Sequence, residues 1–236
     1  MAKITEIKGN IFESTCQTLV NTVNCEGFMG KGIALEFKNR FPEMYQEYKE
    51  ICEKQALKPG LLYLYKKSTP WILNFPTKIN WKYPSKMEYI KLGLKKFVST
   101  YKDRGIKSVA FPELGSSLGG LNWNDVKNLM YDYLLPLENI DIEIYHFDPH
   151  AEDSLFNKLY QKIHRFEIED YKTYLGLRPK QAKLLKEFIQ NKSINSMLDL
   201  QKISGIGEKS IEKIYTFTQS KTEKTININN KQQSLY

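Results

Sequence analysis

The chain has 236 residues, 41% of them hydrophobic and 26% charged, with a net charge of +8 and a pI of about 9.1. That is an ordinary globular composition, long enough for a well-buried core plus an appendage, and basic enough to favour an anionic partner. Cys16, Cys25 and Cys52 make no C-x-x-C pair, which argues against a disulfide framework or a thiolate zinc site; no amino-terminal signal or membrane-spanning apolar run is visible, so a soluble cytoplasmic protein is expected.

Taken in chain order, short β-branched or aromatic runs predict strands at 3–8, 17–24, 61–66, 70–75, 107–112 and 141–147. Longer amphipathic runs predict helices at 31–40, 43–57, 86–102 and 124–136. In 86–102, Ile90, Leu94, Phe97, Val98 and Tyr101 share one face, as a helix packed on a sheet requires. The runs "LVNTV" and "SVAFP" are apolar on both faces, as central strands of a covered sheet must be. The class is α/β, with helices on both faces of a sheet.

After "HFDPH" the pattern turns helical. Leu155, Phe156, Leu159 and Ile163 space one helix, Leu184, Leu185, Phe188 and Ile189 another, with "GLRP" between them. We expect residues 1–150 to form the α/β domain, 151–218 a small all-α module too small to be a strong independent core, and 219–236 a polar mobile tail. The last third carries most of the excess positive charge.

Two glycine-rich loops stand between strand and helix: "NCEGFMGKG" at 24–32, and "ELGSSLGGLNW" at 113–123. Backbone N–H groups in such turns, helped by the dipole of the following helix, can face a phosphate. Neither loop has the order of a nucleotide triphosphatase or dinucleotide fingerprint, so a diphosphate held between the two is the better expectation.

Together, "GNIFES", "LVNTVNCEGFMGKGIALEFKNRFP", "NFPTKINWKYPS" and "PELGSSLGGLNW" resemble the macrodomain, the ADP-ribose-binding α/β fold, and within it the DarG-like branch of DNA ADP-ribosyl glycohydrolase antitoxins. The resemblance covers residues 1 to about 150. It implies a three-layer domain with a mixed central sheet. It places Lys78, in "FPTK", at the bond to be broken, where a partly neutral amine could attack the anomeric carbon, or a charged one could stabilise the leaving group. Asn21, as a second catalytic candidate, and Asn24 are expected at the scissile end, or else tie the loop to itself.

The same resemblance assigns ADP-ribose contacts to Asn10, Ile11, Asn24, Gly30, Gly32, Ile33, Gly115, Ser116, Ser117, Leu118, Gly119, Gly120 and Phe147. Phe147 either stacks on adenine or is core. Two departures matter. Asn10 stands where many macrodomains have an adenine-binding aspartate, and Ser117-Leu118-Gly119-Gly120 lacks the aspartate that assists the lysine in protein-directed relatives. The reaction implied is removal of ADP-ribose from DNA bases, thymine foremost, reversing a DNA ADP-ribosyltransferase toxin, with water as second substrate and neither metal nor organic cofactor. The rival readings are a non-catalytic ADP-ribose reader coupled to DNA binding, and a protein ADP-ribose glycohydrolase.

Residues 194–217, "INSMLDLQKISGIGEKSIEKIYTF", resemble a helix-hairpin-helix, a sequence-independent DNA binder, with Gly205, Gly207 and Lys209 at the phosphate; packing alone is the alternative. The closing "QQSLY" resembles the short peptide by which bacterial replication and repair proteins dock on the sliding clamp, through Gln232, Leu235 and Tyr236.

Overall fold

The computed structural model describes residues 1–220. Six strands form one sheet: β1 (Lys3–Gly9), β2 (Thr18–Val23), β3 (Tyr63–Tyr65), β4 (Trp71–Pro76), β5 (Ser108–Pro112) and β6 (Asp141–Phe147), in the order β1-β6-β5-β2-β4-β3. All neighbours are parallel except β3, a three-residue edge strand antiparallel to β4. The sheet is therefore mixed, as the resemblance implied. α1 (Gly32–Arg40), α2 (Pro42–Glu53), α3 (Met87–Thr100) and α4 (Trp123–Leu134) complete the α/β part. The helix expected at 43–57 stops at Glu53, because Gln55 turns left-handed.

Period-two alternation sends successive strand residues to opposite faces. Val20, Leu73, Phe75, Val109, Phe111, Ile142 and Ile144 pack with Ile90, Leu94 and Phe97 of α3 and Val126, Met130 and Leu134 of α4. Leu19, Ile72, Ala110 and Tyr145 pack with Phe37 of α1 and Met44, Tyr48 and Cys52 of α2. Both faces of the sheet are thus covered, and the strand C-termini deliver both glycine loops to one edge.

Beyond β6 come α5 (Ser154–Ile163), α6 (Ile168–Leu175), α7 (Pro179–Gln190), a 3-10 stretch (Met197–Lys202) and α8 (Glu208–Gln219), which share their own apolar cluster. Gln219 ends α8 and donates to the Arg40 carbonyl, so it does not open a tail; the expected clamp peptide lies outside the described residues. No helix among the described residues is long and apolar enough to cross a membrane.

These helices contain a repeat. Gly176 to Leu185, "GLRPKQAKLL", aligns with Gly205 to Ile214, "GIGEKSIEKI". Gly176 and Gly205 both have positive φ, at 60° and 98°; Leu177 and Ile206, Ala182 and Ile211, and Leu185 and Ile214 are buried pairwise. Contacts between the copies are reciprocal. Leu184 lies against Gly205, and its counterpart Lys213 lies against Gly176; Gln181 donates to its own counterpart, Ser210, at 3.2 Å. Two helical hairpins therefore face each other about an approximate twofold, each exposing its glycine turn.

The two parts meet at buried charge. Arg40 donates to Glu36 at 2.6 Å and to Asp153 Oδ1 at 2.9 Å, and its guanidinium lies 4.2 Å from the centre of the Phe12 ring. Asp153 Oδ1 also caps α5 through Leu155 and Phe156 N–H, while Oδ2 accepts from Met197 N–H at 2.8 Å. Lys38 of α1 pairs with Glu208 and Glu212 of α8.

Candidate active site

Loop 1, residues 24–31, leaves β2 and enters α1. Asn24 Oδ1 accepts from the N–H groups of Glu26 and Phe28, its Nδ2 donates to the Phe28 carbonyl at 2.6 Å, and the Tyr48 hydroxyl donates to its carbonyl at 2.8 Å. Of the two roles open to Asn24, its contacts here are those of a loop tie. Asn21 lies one layer lower. It is fully buried, in register with Asn74 of β4, and donates to Asn74 Oδ1 at 2.9 Å; its own Oδ1 has no partner among the described residues. The contacts Asn21 makes here, within the sheet and beneath loop 1, are those of a supporting residue.

α1 opens without a side-chain cap at Lys31, which leaves its first N–H groups free for an acceptor. Gly32 needs its glycine, since φ is +58° and a Cβ would sit 3.1 Å from Leu118 Cδ1. Gly30 has open space around it, room that a ligand could use. Ile33 is partly buried and Ile11 is core, so only backbone at Ile11 can meet a ligand.

Loop 2 runs from Glu113 to Asn122. A single 3-10 turn, Ser117–Gly119, is also uncapped by any side chain, which leaves its leading N–H groups without a side-chain acceptor. Gly115 and Gly120 adopt left-handed φ, and Ser117 does so at +46° without being glycine, a conformation that bulky residues avoid. A Cβ at Gly119 would stand 2.6 Å from Ser85 Oγ, while Ser85 N–H donates to the Gly119 carbonyl at 2.8 Å. The Ser85 and Ser116 hydroxyls are buried with no partner among the described residues. Ser85 was not expected in the site; nothing local in "WKYPSK" marks a serine that buttresses a loop more than 30 residues away.

Lys78 bridges the two loops. It follows β4 and Thr77, whose N–H donates to the Val23 carbonyl at 2.9 Å. Its ammonium donates to the Leu118 carbonyl of loop 2 at 2.7 Å, and its carbonyl accepts weakly from Cys25 Sγ of loop 1 at 3.4 Å. Desolvation holds its pKa below the ordinary lysine range, and no carboxylate among the described residues opposes it.

At the other end of the cleft, Phe147 is 66% exposed, so of its two expected roles the core one is excluded. It lines a small hollow with Asn10, Glu36, Pro149, Ser196 and Leu198, the last two from the helical segment. Asn10 Oδ1 accepts from Phe12 N–H, and Nδ2 donates to the Glu152 carbonyl at 3.2 Å. One amide N–H and one carbonyl lone pair are thus committed, leaving one donor and one acceptor for an adenine edge. Gly205, Gly207 and Lys209 are all exposed on the second hairpin turn, away from this cleft in sequence but joined to α1 through Glu208 and Lys38.

His146, near the end of β6, links β1 to the residue that follows β5: Nδ1 lies 2.7 Å from Glu113 and Nε2 2.9 Å from Glu6. It therefore anchors the root of loop 2.

Comparison with known proteins agrees with this geometry. The Macro domain family model matches residues 20–130. The DNA ADP-ribosyl glycohydrolase of Thermus aquaticus is 38% identical over 186 residues, covering 77% of this chain and 48% of that protein. The DNA ADP-ribosyl transferase-DNA ADP-ribosyl glycohydrolase fusion protein of Thermosipho africanus is 40% identical over 158 residues, 59% of this chain and 40% of that one. Among solved structures, the macrodomain of Thermus aquaticus DarG is 39% identical, with TM-score 0.59, covering 62% of this chain and 99% of that one. The chain spans under half the length of both curated relatives.

Proposed function

This chain belongs to the macrodomain family, and on that premise we propose that it hydrolyses the N-glycosidic bond between ADP-ribose and a DNA base, thymine foremost. The observation that carries this reading is Lys78: a partly desolvated amine with no countercharge among the described residues, suspended between the two loops suited to a diphosphate. The amine attacks the anomeric carbon as the ribose ring opens, and the base departs with the bonding pair and takes up a proton. Water then hydrolyses the imine, restoring the amine and releasing ADP-ribose. The free N–H groups of α1 and of the 3-10 turn hold the diphosphate, and Phe147 stacks on adenine.

Loop 2 carries no carboxylate beyond Glu113, which is engaged with His146. This supports a DNA rather than a protein adduct as substrate. The names of the relatives point the same way, and the fusion relative makes a DNA ADP-ribosyltransferase toxin the natural opposing partner. The helical segment adds a hold on DNA: each hairpin exposes a glycine turn with a cation nearby, Arg178 and Lys180 on one, Lys209 on the other.

The test is release of ADP-ribose from an ADP-ribosylated single-stranded oligonucleotide, beside an ADP-ribosylated glutamate peptide. The oligonucleotide should be the better substrate. Lys78→Ala should lower its turnover by at least about a hundredfold while free ADP-ribose binds within about threefold of the original. Turnover retained by that variant removes Lys78 from the chemistry. Replacing Lys180 and Lys209 with Glu should weaken long-DNA binding and reduce the slope of log K against log salt by about two; an unchanged slope reduces the hairpins to packing.

A further inference from the structure

Twelve large apolar side chains stand exposed among the described residues, and five of them, Phe28, Ile79, Trp81, Tyr83 and Leu118, lie in the loops around Lys78. Phe28 is 56% exposed, Trp81 49% and Tyr83 67%. Single exposed apolar residues are normal on a protein surface, but a cluster beside a reactive lysine marks a contact surface. The Phe28 and Trp81 rings lie 6.1 Å apart at 54°.

Their backbones are held firmly. Cys25 N–H donates to the Ile79 carbonyl at 3.0 Å. Glu26 accepts from Asn80 Nδ2 at 2.8 Å and from Trp81 N–H at 3.2 Å, and Asn80 Oδ1 in turn accepts from Lys82 N–H at 2.8 Å. Asn24 fixes Phe28 from below. Segments 24–31 and 78–86 together contain four lysines, at 31, 78, 82 and 86, and one carboxylate, Glu26, whose oxygens are occupied by these donors. Lys82 Nζ stands 5.4 Å from the centre of the Trp81 ring. The surface is therefore rigid, aromatic and cationic.

We propose that Phe28, Trp81 and Tyr83 form a stacking platform for bases of single-stranded DNA that flank the nucleotide at Lys78. This rests on the DNA reading above and supplies the form of the substrate. A duplex hides its base faces in the stack, whereas a single strand presents a π-face at every base, and the lysines beside the rings meet its phosphates. The same platform gives a modified base already outside a helix a short path to Lys78.

The test compares two substrates on the full chain: an ADP-ribosylated single-stranded oligonucleotide and an ADP-ribosylated mononucleoside. Trp81→Ala should lower kcat/KM on the oligonucleotide by about tenfold, mainly through KM. It should leave the mononucleoside reaction and free ADP-ribose binding unchanged, and Trp81→Phe should recover most of the loss. Equal loss on both substrates, or none on the oligonucleotide, overturns the proposal. If the unaltered protein releases no ADP-ribose from any DNA, the catalytic reading fails on its own. The platform is then judged by tryptophan fluorescence with unmodified oligothymidine: quenching that disappears in Trp81→Phe supports it. Quenching that persists in that variant, is absent altogether, or is stronger with duplex than with single strand rejects it. Self-association abolished by Trp81→Ala, without any DNA effect, would make the patch an interface between copies instead.

Discussion

Desolvation lowers the Lys78 pKa and nothing among the described residues raises it, so its free-amine fraction at neutral pH exceeds that of a surface lysine. If the amine is the nucleophile, kcat should climb with pH and level off below the ordinary lysine value of about 10.4. A rate flat or falling with pH across that range would mean that Lys78 acts in its charged form. The position of Lys78 just past a strand end was legible in the sequence because it belongs to a local motif, Pro76-Thr77-Lys78. Its acceptor was not: Leu118 lies 40 residues on and meets Lys78 only because β4 and β5 flank β2. The contact between Asn21 and Asn74 was hidden for a similar reason. An asparagine late in a strand reads as polar and accessible, whereas the register with Asn74 gives it a partner within the sheet.

At the scale of elements, the six strands and first four helices were readable because period-two and helical spacing are local properties of the chain. How strands are stitched together was not, and His146 is the instructive case. It lies on β6 between Glu6 of β1 and Glu113 at the end of β5; Glu6 also holds Lys127 at 2.6 Å and the Tyr131 hydroxyl at 2.7 Å, both from α4, and the Trp123 ring meets the imidazole edge-on. The Glu113 and Glu6 carboxylates raise the His146 pKa against a smaller desolvation effect, and Lys127 foremost holds Glu6 down to about 2. A raised histidine stabilises the fold fully below its unfolded value of about 6.5, and that contribution fades as pH rises through the folded value. His146→Gln should therefore lower Tm more at pH 6 than at pH 8, measured by thermal unfolding. An equal deficit at both would show that the imidazole acts through shape alone. The hairpin repeat was equally hidden, because Arg178-Pro179 in one copy replaces Gly207-Glu208 in the other while the buried positions agree.

At the scale of the molecule, the α/β part and the helical segment keep separate apolar clusters and are joined through charge. Asp153 is the centre of that joint: it pairs with Arg40, caps α5 and accepts from Met197 N–H. None of this is visible at "HAEDSLF", where the aspartate reads only as a helix cap. Removing one partner of a buried ion pair leaves the other charge uncompensated, at a cost of about 3–5 kcal/mol. Asp153→Ala should therefore lower Tm by roughly 6 to 20 °C. Asp153→Asn, which can still cap α5 but carries no charge for Arg40, should fall between the unaltered protein and Asp153→Ala. The joint also frames the hollow at Phe147, because Asn10 is tied to the Glu152 carbonyl and Ser196 and Leu198 flank Met197. ADP-ribose affinity measured by titration calorimetry at a temperature where Asp153→Ala remains folded should weaken with it, although Asp153 is remote from Lys78. A loss under about 1 kcal/mol with unchanged affinity would mean that Glu36 alone satisfies Arg40, and that the helical segment neither supports the α/β part nor shapes the hollow at Phe147.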